Sequence, residues 1–215
     1  MRKAIFVAPL RTPFGRAFKG YLTDIRPDDL LVNLLKVQKQ KNPLLFNHEI
    51  DDLICGCAYP EGEQGYNVAR VAALGAGLSL PGMTINRLCA SSLEAIAIAG
   101  SRVCLEQADI VLVAGVESMS RIPRKGGSFS ESSLIREESP KAYVNMGDTA
   151  EEVAKVSSVS RLQQEDFAAR SHELADVAYA KHYYSEHVLE LYDVARDEGI
   201  RVPVNREKMA SLRPA

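Results

Sequence analysis

The first half of the chain alternates between two hydrophobic periods. Lys3–Ala8 is apolar and β-prone and reads as a first strand. Over Asp28–Lys41 the apolar residues fall at helical spacing, with Asp28 and Asp29 in the first turn, where carboxylates suit the helix dipole. Leu53–Ala58 reads as a strand, and Asn67–Gly77 as a helix ended by glycine. Met83–Asn86 is a short strand leading into a helix that follows Cys89. Asp109–Ala114 carries Ile-Val-Leu-Val-Ala, the composition of an inner strand in a parallel sheet. Such β/α alternation predicts an α/β layered fold.

From about Ser118 the texture changes to Gly, Ser, Pro and charge. Arg124–Pro140 offers no apolar period and reads as a long surface loop. Two helices are expected after it, over Asp148–Ser157 and Gln163–Tyr183, with Ser160 and Gln163 in a capping-box pattern. The change of texture divides the chain into 1–117 and 118–215. In the helix after Cys89, no polar residue stands between Ala95 and Gly100. A helix apolar all round expects to be buried on every side.

Composition narrows the classes. The 215 residues are 46% hydrophobic and 25% charged, with a formal net charge of −2, so bulk charge indicates neither nucleic acid nor a membrane surface. The opening Met1–Pro9 is too short in its apolar run for a signal peptide, and no stretch approaches transmembrane length. Four cysteines do not suggest a disulfide framework; reduced thiols in the cytoplasm are expected. Cys55 and Cys57 share one face of a strand, but no second pair or nearby histidine completes a metal site, so none is expected.

Cys89 is the candidate nucleophile. It stands where the short strand gives way to the helix, followed by Ala90, Ser91 and Ser92, small enough for close approach of backbone or ligand. A thiol there sits among unsatisfied N–H groups and the positive end of the helix dipole, which favour the nucleophilic thiolate. The same N–H groups suit the oxyanion of a thioester under attack. On spacing alone, a small buried hydrophobe and a redox-sensitive thiol are the competing readings.

The segment Asn86-Arg87-Leu88-Cys89-Ala90-Ser91-Ser92-Leu93-Glu94-Ala95 resembles the acyl-enzyme signature of the thiolases, the acetyl-CoA C-acyltransferases. Further matches follow in order: Arg11–Gly15, Gly65–Arg70, Ala114–Ser120, Met146–Ala154, Phe167–His172 and Leu212–Ala215. Together they cover the whole chain and resemble the degradative, 3-ketoacyl-CoA type. Ser92 stands where the signature commonly has glycine, Glu94 where glutamine is usual, and Ala114 where glycine is.

The resemblance implies a thiolase-like layered fold: the N-terminal half, a mixed sheet with a buried nucleophile helix, plus part of the loop domain over coenzyme A. It implies thiolytic cleavage of 3-ketoacyl-CoA to acetyl-CoA and a shortened acyl-CoA, or the reverse Claisen condensation, through an acyl-Cys89 intermediate. Coenzyme A is then a co-substrate, with no bound cofactor. Met146 falls where the family touches the pantetheine arm, and Arg201 where it can place an arginine near the nucleotide end. Asn145 replaces a histidine common before that methionine. The family's Gly-His-Pro histidine, its Asn-Glu-Ala-Phe segment and its second cysteine in a Gly-rich turn have no counterpart among His48, His172, His182, His187 or the remaining cysteines. The expectation is a C-terminal thiolase half-chain as partner, within dimers or tetramers. The competing class is a non-catalytic thiolase fragment acting as a binding protein.

Overall fold

The computed structural model describes residues 2–123 and 127–214, which form two compact units. The first comprises the residues up to Ser128 together with Glu186–Glu198; the second comprises Phe129–Ser185 and Gly199–Ala215.

The first unit is α/β. Helix α1 (Pro27–Lys41) starts on a proline and carries Asp28 and Asp29 in its first turn and Lys39 and Lys41 in its last, complementing the dipole at both ends. After the short α2 (Pro43–Phe46), strand β1 (Asp52–Gly56), helix α3 (Val68–Gly75), strand β2 (Gly82–Ile85), helix α4 (Ser91–Cys104) and strand β3 (Val111–Gly115) follow in turn. The strand order is β2-β1-β3, with both pairings parallel. The described strands therefore make a parallel sheet, with no antiparallel member among the described residues.

Alternation along β1 explains the layers. Leu53 and Cys55, with Cys57 just beyond, pack on one face against Leu31 and Leu35 of α1 and Val68, Ala69, Ala72 and Ala73 of α3. Ile54 points to the other face and packs with Ala95 and Ala99 of α4. Every residue of β1 is buried, as befits a central parallel strand.

Three expectations need correction here. The pattern over Asp109–Ala114 predicts an inner strand, but β3 lies at one end of the described sheet, and its residues are half-buried or exposed. Lys3–Ala8 forms no strand: Ile5 is 82% exposed and Phe6 63%. An apolar run becomes a strand only when an edge takes up its backbone groups. No described strand pairs with these residues; they are tied down by side chains instead, Arg2 to Asp109 and Gln38 Nε2 donating to Ala8 O at 3.0 Å. Finally, α4 buries Ala95 and Ala99, while Ala97 and Leu93 are exposed. One sheet covers one face, so burial on every side is not reached.

The Arg11–Gly15 segment recruits a distant stretch into this unit. Arg11 N–H donates to His187 O at 2.8 Å, and Leu189 N–H donates back to Arg11 O at 3.0 Å. The Arg11 guanidinium meets both Asp197 oxygens, at 2.7 and 2.9 Å, and Asp197 also accepts from Phe14 N–H at 2.8 Å. A forked cation on a carboxylate is a strong, directional clasp.

The second unit is helical: α5 (Ser133–Glu138), α6 (Met146–Val156), α7 (Arg161–Ala180) and α8 (Arg206–Ala210). Helix α5 corrects the expected loop. Its N-cap Ser132 accepts from Ile135 N–H, and so short a helix needs no apolar period. Arg124, Lys125 and Gly126 of that loop, and Ala215 of the last motif, lie outside the described residues. At α7 the capping box forms as expected, with Ser160 and Gln163 bonding reciprocally. Asn205 caps α8, which Arg161 ties to α7 through Met209 O and Leu212 O at 3.0 and 3.1 Å.

Candidate active site

Cys89 is exposed, two residues ahead of the first helical residue of α4. The turn that carries it is closed by its own side chains. Asn86 Oδ1 accepts from Leu88 N–H at 2.7 Å. Ser91 Oγ accepts from Arg87 N–H at 2.9 Å and donates to Leu88 O at 2.6 Å. Leu88 itself holds a φ of +48°, a conformation that costs a side-chain-bearing residue about 1–3 kcal/mol and persists only when its surroundings enforce it. Strain thus sits on the residue immediately before the thiol.

The helix reaches the sheet at two glycines. A Cβ on Gly56, the last residue of β1, would stand 2.5 Å from the Ser91 carbonyl carbon. On Gly115, the last residue of β3, it would stand 3.2 Å from Ser92 Cβ and nearer still to Ser92 Oγ. These absent side chains let the start of α4 rest directly on the C-terminal ends of two strands, where α/β sheets place their ligands.

Arg87 and Glu94 form an ion pair at 2.7 Å. The carboxylate that the sequence places one turn into the helix is therefore met by a cation from the turn itself. Neither histidine of this unit hydrogen-bonds Cys89 among the described residues; His187 Nδ1 lies 3.2 Å from Pro9 O.

Behind the turn lies a polar cluster built on Gln64 and Glu117. Gln64 is fully buried, and its Nε2 donates to Glu117 Oε1 at 2.6 Å and to Tyr59 O at 2.8 Å. Its Oε1 accepts from Ser118 N–H at 2.6 Å. The Glu117 Oε2 accepts from Ala58 N–H at 2.7 Å. A buried glutamine needs such partners, but nothing in the local pattern announces them.

The other cysteines differ from Cys89. Burial, with smaller contributions from Cys57 and Glu117, pushes the Cys55 thiol up to about 12. Burial and then Glu117 push the Cys57 thiol up to about 11. Both are inert core groups at neutral pH. Among the described residues, no three His, Cys, Asp or Glu side chains converge as a metal site, and no helix is long and apolar enough to cross a membrane.

Met146 and Arg201 belong to the second unit. Met146 is the first residue of α6 and is 56% exposed, so it is not a core methionine. Asn145, in the place of the family's histidine, serves as N-cap: its Oδ1 accepts from Asp148 N–H at 2.9 Å. Arg201 is exposed, and its backbone N–H donates to His172 Nδ1 at 3.3 Å.

Fold and turn together define a class: α/β proteins that place an exposed side chain in the turn where a strand gives way to a helix. Residues 4–215 match the family model described as the thiolase N-terminal domain. The chain belongs to the thiolase family. It is 37% identical to a 3-ketoacyl-CoA thiolase of Bacillus subtilis, aligning over 100% of this chain and 60% of that protein. Proteins of the same name from Serratia proteamaculans and Cronobacter sakazakii are 37% and 38% identical, again over 100% of this chain and 58% of theirs. The chain thus spans about three-fifths of the length of these relatives.

Proposed function

We propose that this chain supplies the nucleophile of a thiolase that cleaves 3-ketoacyl-CoA, with Cys89 carrying the acyl group. The observation that carries this reading is the exposed Cys89 thiol in a strained, doubly pinned turn at the start of α4. The Cys89 thiolate attacks the 3-keto carbon, and the bond between that carbon and the neighbouring methylene breaks. Its electron pair leaves on the acetyl-CoA fragment as an enolate, which takes up a proton. The thiolate of a second coenzyme A then attacks the acyl carbonyl carbon, the bond from that carbon to Cys89 Sγ breaks, and shortened acyl-CoA leaves with Cys89 restored as thiolate. Reversed, the steps are a Claisen condensation. Cleavage, as in fatty acid β-oxidation, is the direction we favour, because the similar proteins are named 3-ketoacyl-CoA thiolases.

The base for Cys89 and the remaining oxyanion donors come from outside residues 1–215, on our reading from a C-terminal thiolase half-chain within a dimer or tetramer. The open face of α4 supports this, since an apolar helix calls for cover. Residues 118–215 serve as the loop region over coenzyme A, Met146 against the pantetheine arm and Arg201 at the nucleotide end, where a guanidinium pairs with phosphate or stacks on adenine. Four free thiols suit a reducing, cytoplasmic setting.

The test is gentle purification of the native assembly, identification of its polypeptides by mass spectrometry, and a thiolysis assay with 3-ketoacyl-CoA. A thiolase C-terminal half in the preparation and activity lost in Cys89→Ser support the reading. This segment alone, inert towards 3-ketoacyl-CoA, favours a non-catalytic binding role.

A further inference from the structure

A line of hydrogen bonds runs from the exit of β3 to the Cys89 turn. Glu117 Oε2 accepts from Ala58 N–H at 2.7 Å. The carbonyl of the same residue, Ala58, accepts from Asn86 Nδ2 at 2.9 Å. The other end of the Asn86 amide, Oδ1, accepts from Leu88 N–H at 2.7 Å. Leu88 is the residue held at a φ of +48°, and Cys89 follows it.

Each link has a reason to be rigid. Ala58 is gripped on both its backbone groups, so it cannot shift towards one partner without loosening the other. Both amide ends of Asn86 are used, which fixes the flip of that side chain. The far end is anchored too: Glu117 Oε1 accepts from the fully buried Gln64, which also holds Ser118 N–H and Tyr59 O. A carboxylate acceptor makes the Ala58 bond stronger than a neutral one. The Asn86 bond holds the N–H side of the strained Leu88, while Ser91 holds its carbonyl at 2.6 Å.

We propose that Glu117 is a positioning residue for Cys89, acting through the Ala58 backbone and the Asn86 side chain. This rests on reading Cys89 as the acyl-carrying nucleophile. Glu117 does not touch the thiol; it sets the turn, and the turn sets where the sulfur stands relative to the first N–H groups of α4. Losing any link leaves Leu88 held from the Ser91 side alone and loosens the position of Cys89 relative to the helix end.

The test reads the thiol directly, so it does not depend on turnover. In the native protein, iodoacetamide alkylation of Cys89 is followed by peptide mass spectrometry, with Cys104 as the internal reference. Glu117→Ala and Asn86→Asp are compared singly and together. The carboxylate introduced by Asn86→Asp keeps the acceptor for Leu88 N–H but loses the donor to Ala58 O, so it cuts one link only. Each single variant is expected to slow Cys89 about tenfold relative to Cys104, and the double variant no further, because both act along one path. Glu117→Gln, which keeps one acceptor oxygen, recovers most of the rate. Cys89 rates within about twofold of wild type, or single effects that multiply in the double variant, overturn the proposal. Should Glu117→Ala not fold, Glu117→Asp, whose shorter side chain withdraws the carboxylate from Ala58 N–H, takes its place alone and in the double variant. Normal positioning effects with no acylation of Cys89 by acyl-CoA would refute the proposed function and leave this inference standing.

Discussion

Gly115 faces Ser92 so closely that a Cβ on the glycine would lie 3.2 Å from Ser92 Cβ and nearer to its hydroxyl. Gly56 meets backbone instead, with the Ser91 carbonyl carbon 2.5 Å from where its Cβ would be. The two glycines therefore differ in what can give way. Gly56→Ala must displace the start of α4 and is expected to cost about 1–3 kcal/mol, as overpacking does. Gly115→Ala should cost less, and Ser92→Ala in the same chain should restore part of it. Urea denaturation of the single and double variants checks this; rescue of Gly56→Ala by Ser92→Ala would contradict the geometry.

The four thiols should separate by reactivity. Cys89 is exposed, Cys104 half-buried, and Cys55 and Cys57 are buried with thiols pushed to about 12 and about 11. Against an ordinary thiol of 9.0, Cys57 has about a hundredfold less thiolate at mildly alkaline pH before access is counted. Timed alkylation with peptide mapping should label Cys89 first and Cys55 and Cys57 only on unfolding. The same shifts have a stability sign. Their contribution is complete below the ordinary thiol range and is lost as pH rises from about 9 towards 11 and 12, because the unfolded chain ionises first.

Acid acts through different groups. Asp51 lies below its ordinary 3.8 because Ile110 N–H and then Asp109 N–H bond its carboxylate, at 3.0 and 2.7 Å. Glu63 is lowered chiefly by the Arg121 side chain bonded to it. Depressed carboxylates contribute stability above their unfolded values and lose it as pH falls through the folded ones. Wild-type stability should therefore drop from about pH 5 downward, and less steeply in Asp51→Asn, which keeps an acceptor oxygen but does not titrate. Denaturation midpoints across that range check it.

The Ser160–Gln163 capping box should be separable from packing. Ser160→Ala removes the acceptor for Gln163 N–H and is expected to cost about 1 kcal/mol. Ser160→Gly should cost only a few tenths of that figure, since glycine tolerates the N-cap backbone. Thermal denaturation followed by helical circular dichroism distinguishes the two.

What the sequence makes legible is local. The Cys89 turn, the capping box and the α1 dipole pattern each lie within a few consecutive residues, so their chemistry is written contiguously. Pairings across the fold are not legible. Lys3–Ala8 has a strand's composition, but strand formation depends on an edge elsewhere, and no described strand offers it one. Gln64 and Glu117 are 53 residues apart, and neither shows in isolation that it is half of a buried pair. The role of Gly56 and Gly115 depends on Ser91 and Ser92 arriving above them, a fact of tertiary packing. Helix α5 has no apolar period to show in the sequence, because a side-chain cap starts it.

The proposed function requires an acyl group on Cys89. The direct measurement is to incubate the native protein with acetyl-CoA, quench in acid, and map the acetyl mass by peptide mass spectrometry. A thioester is expected on the Cys89 peptide, discharged on adding coenzyme A, and none on Cys55, Cys57 or Cys104. Thiolysis of 3-ketoacyl-CoA with Cys89 unmodified, or with the acetyl group on another cysteine, would contradict it.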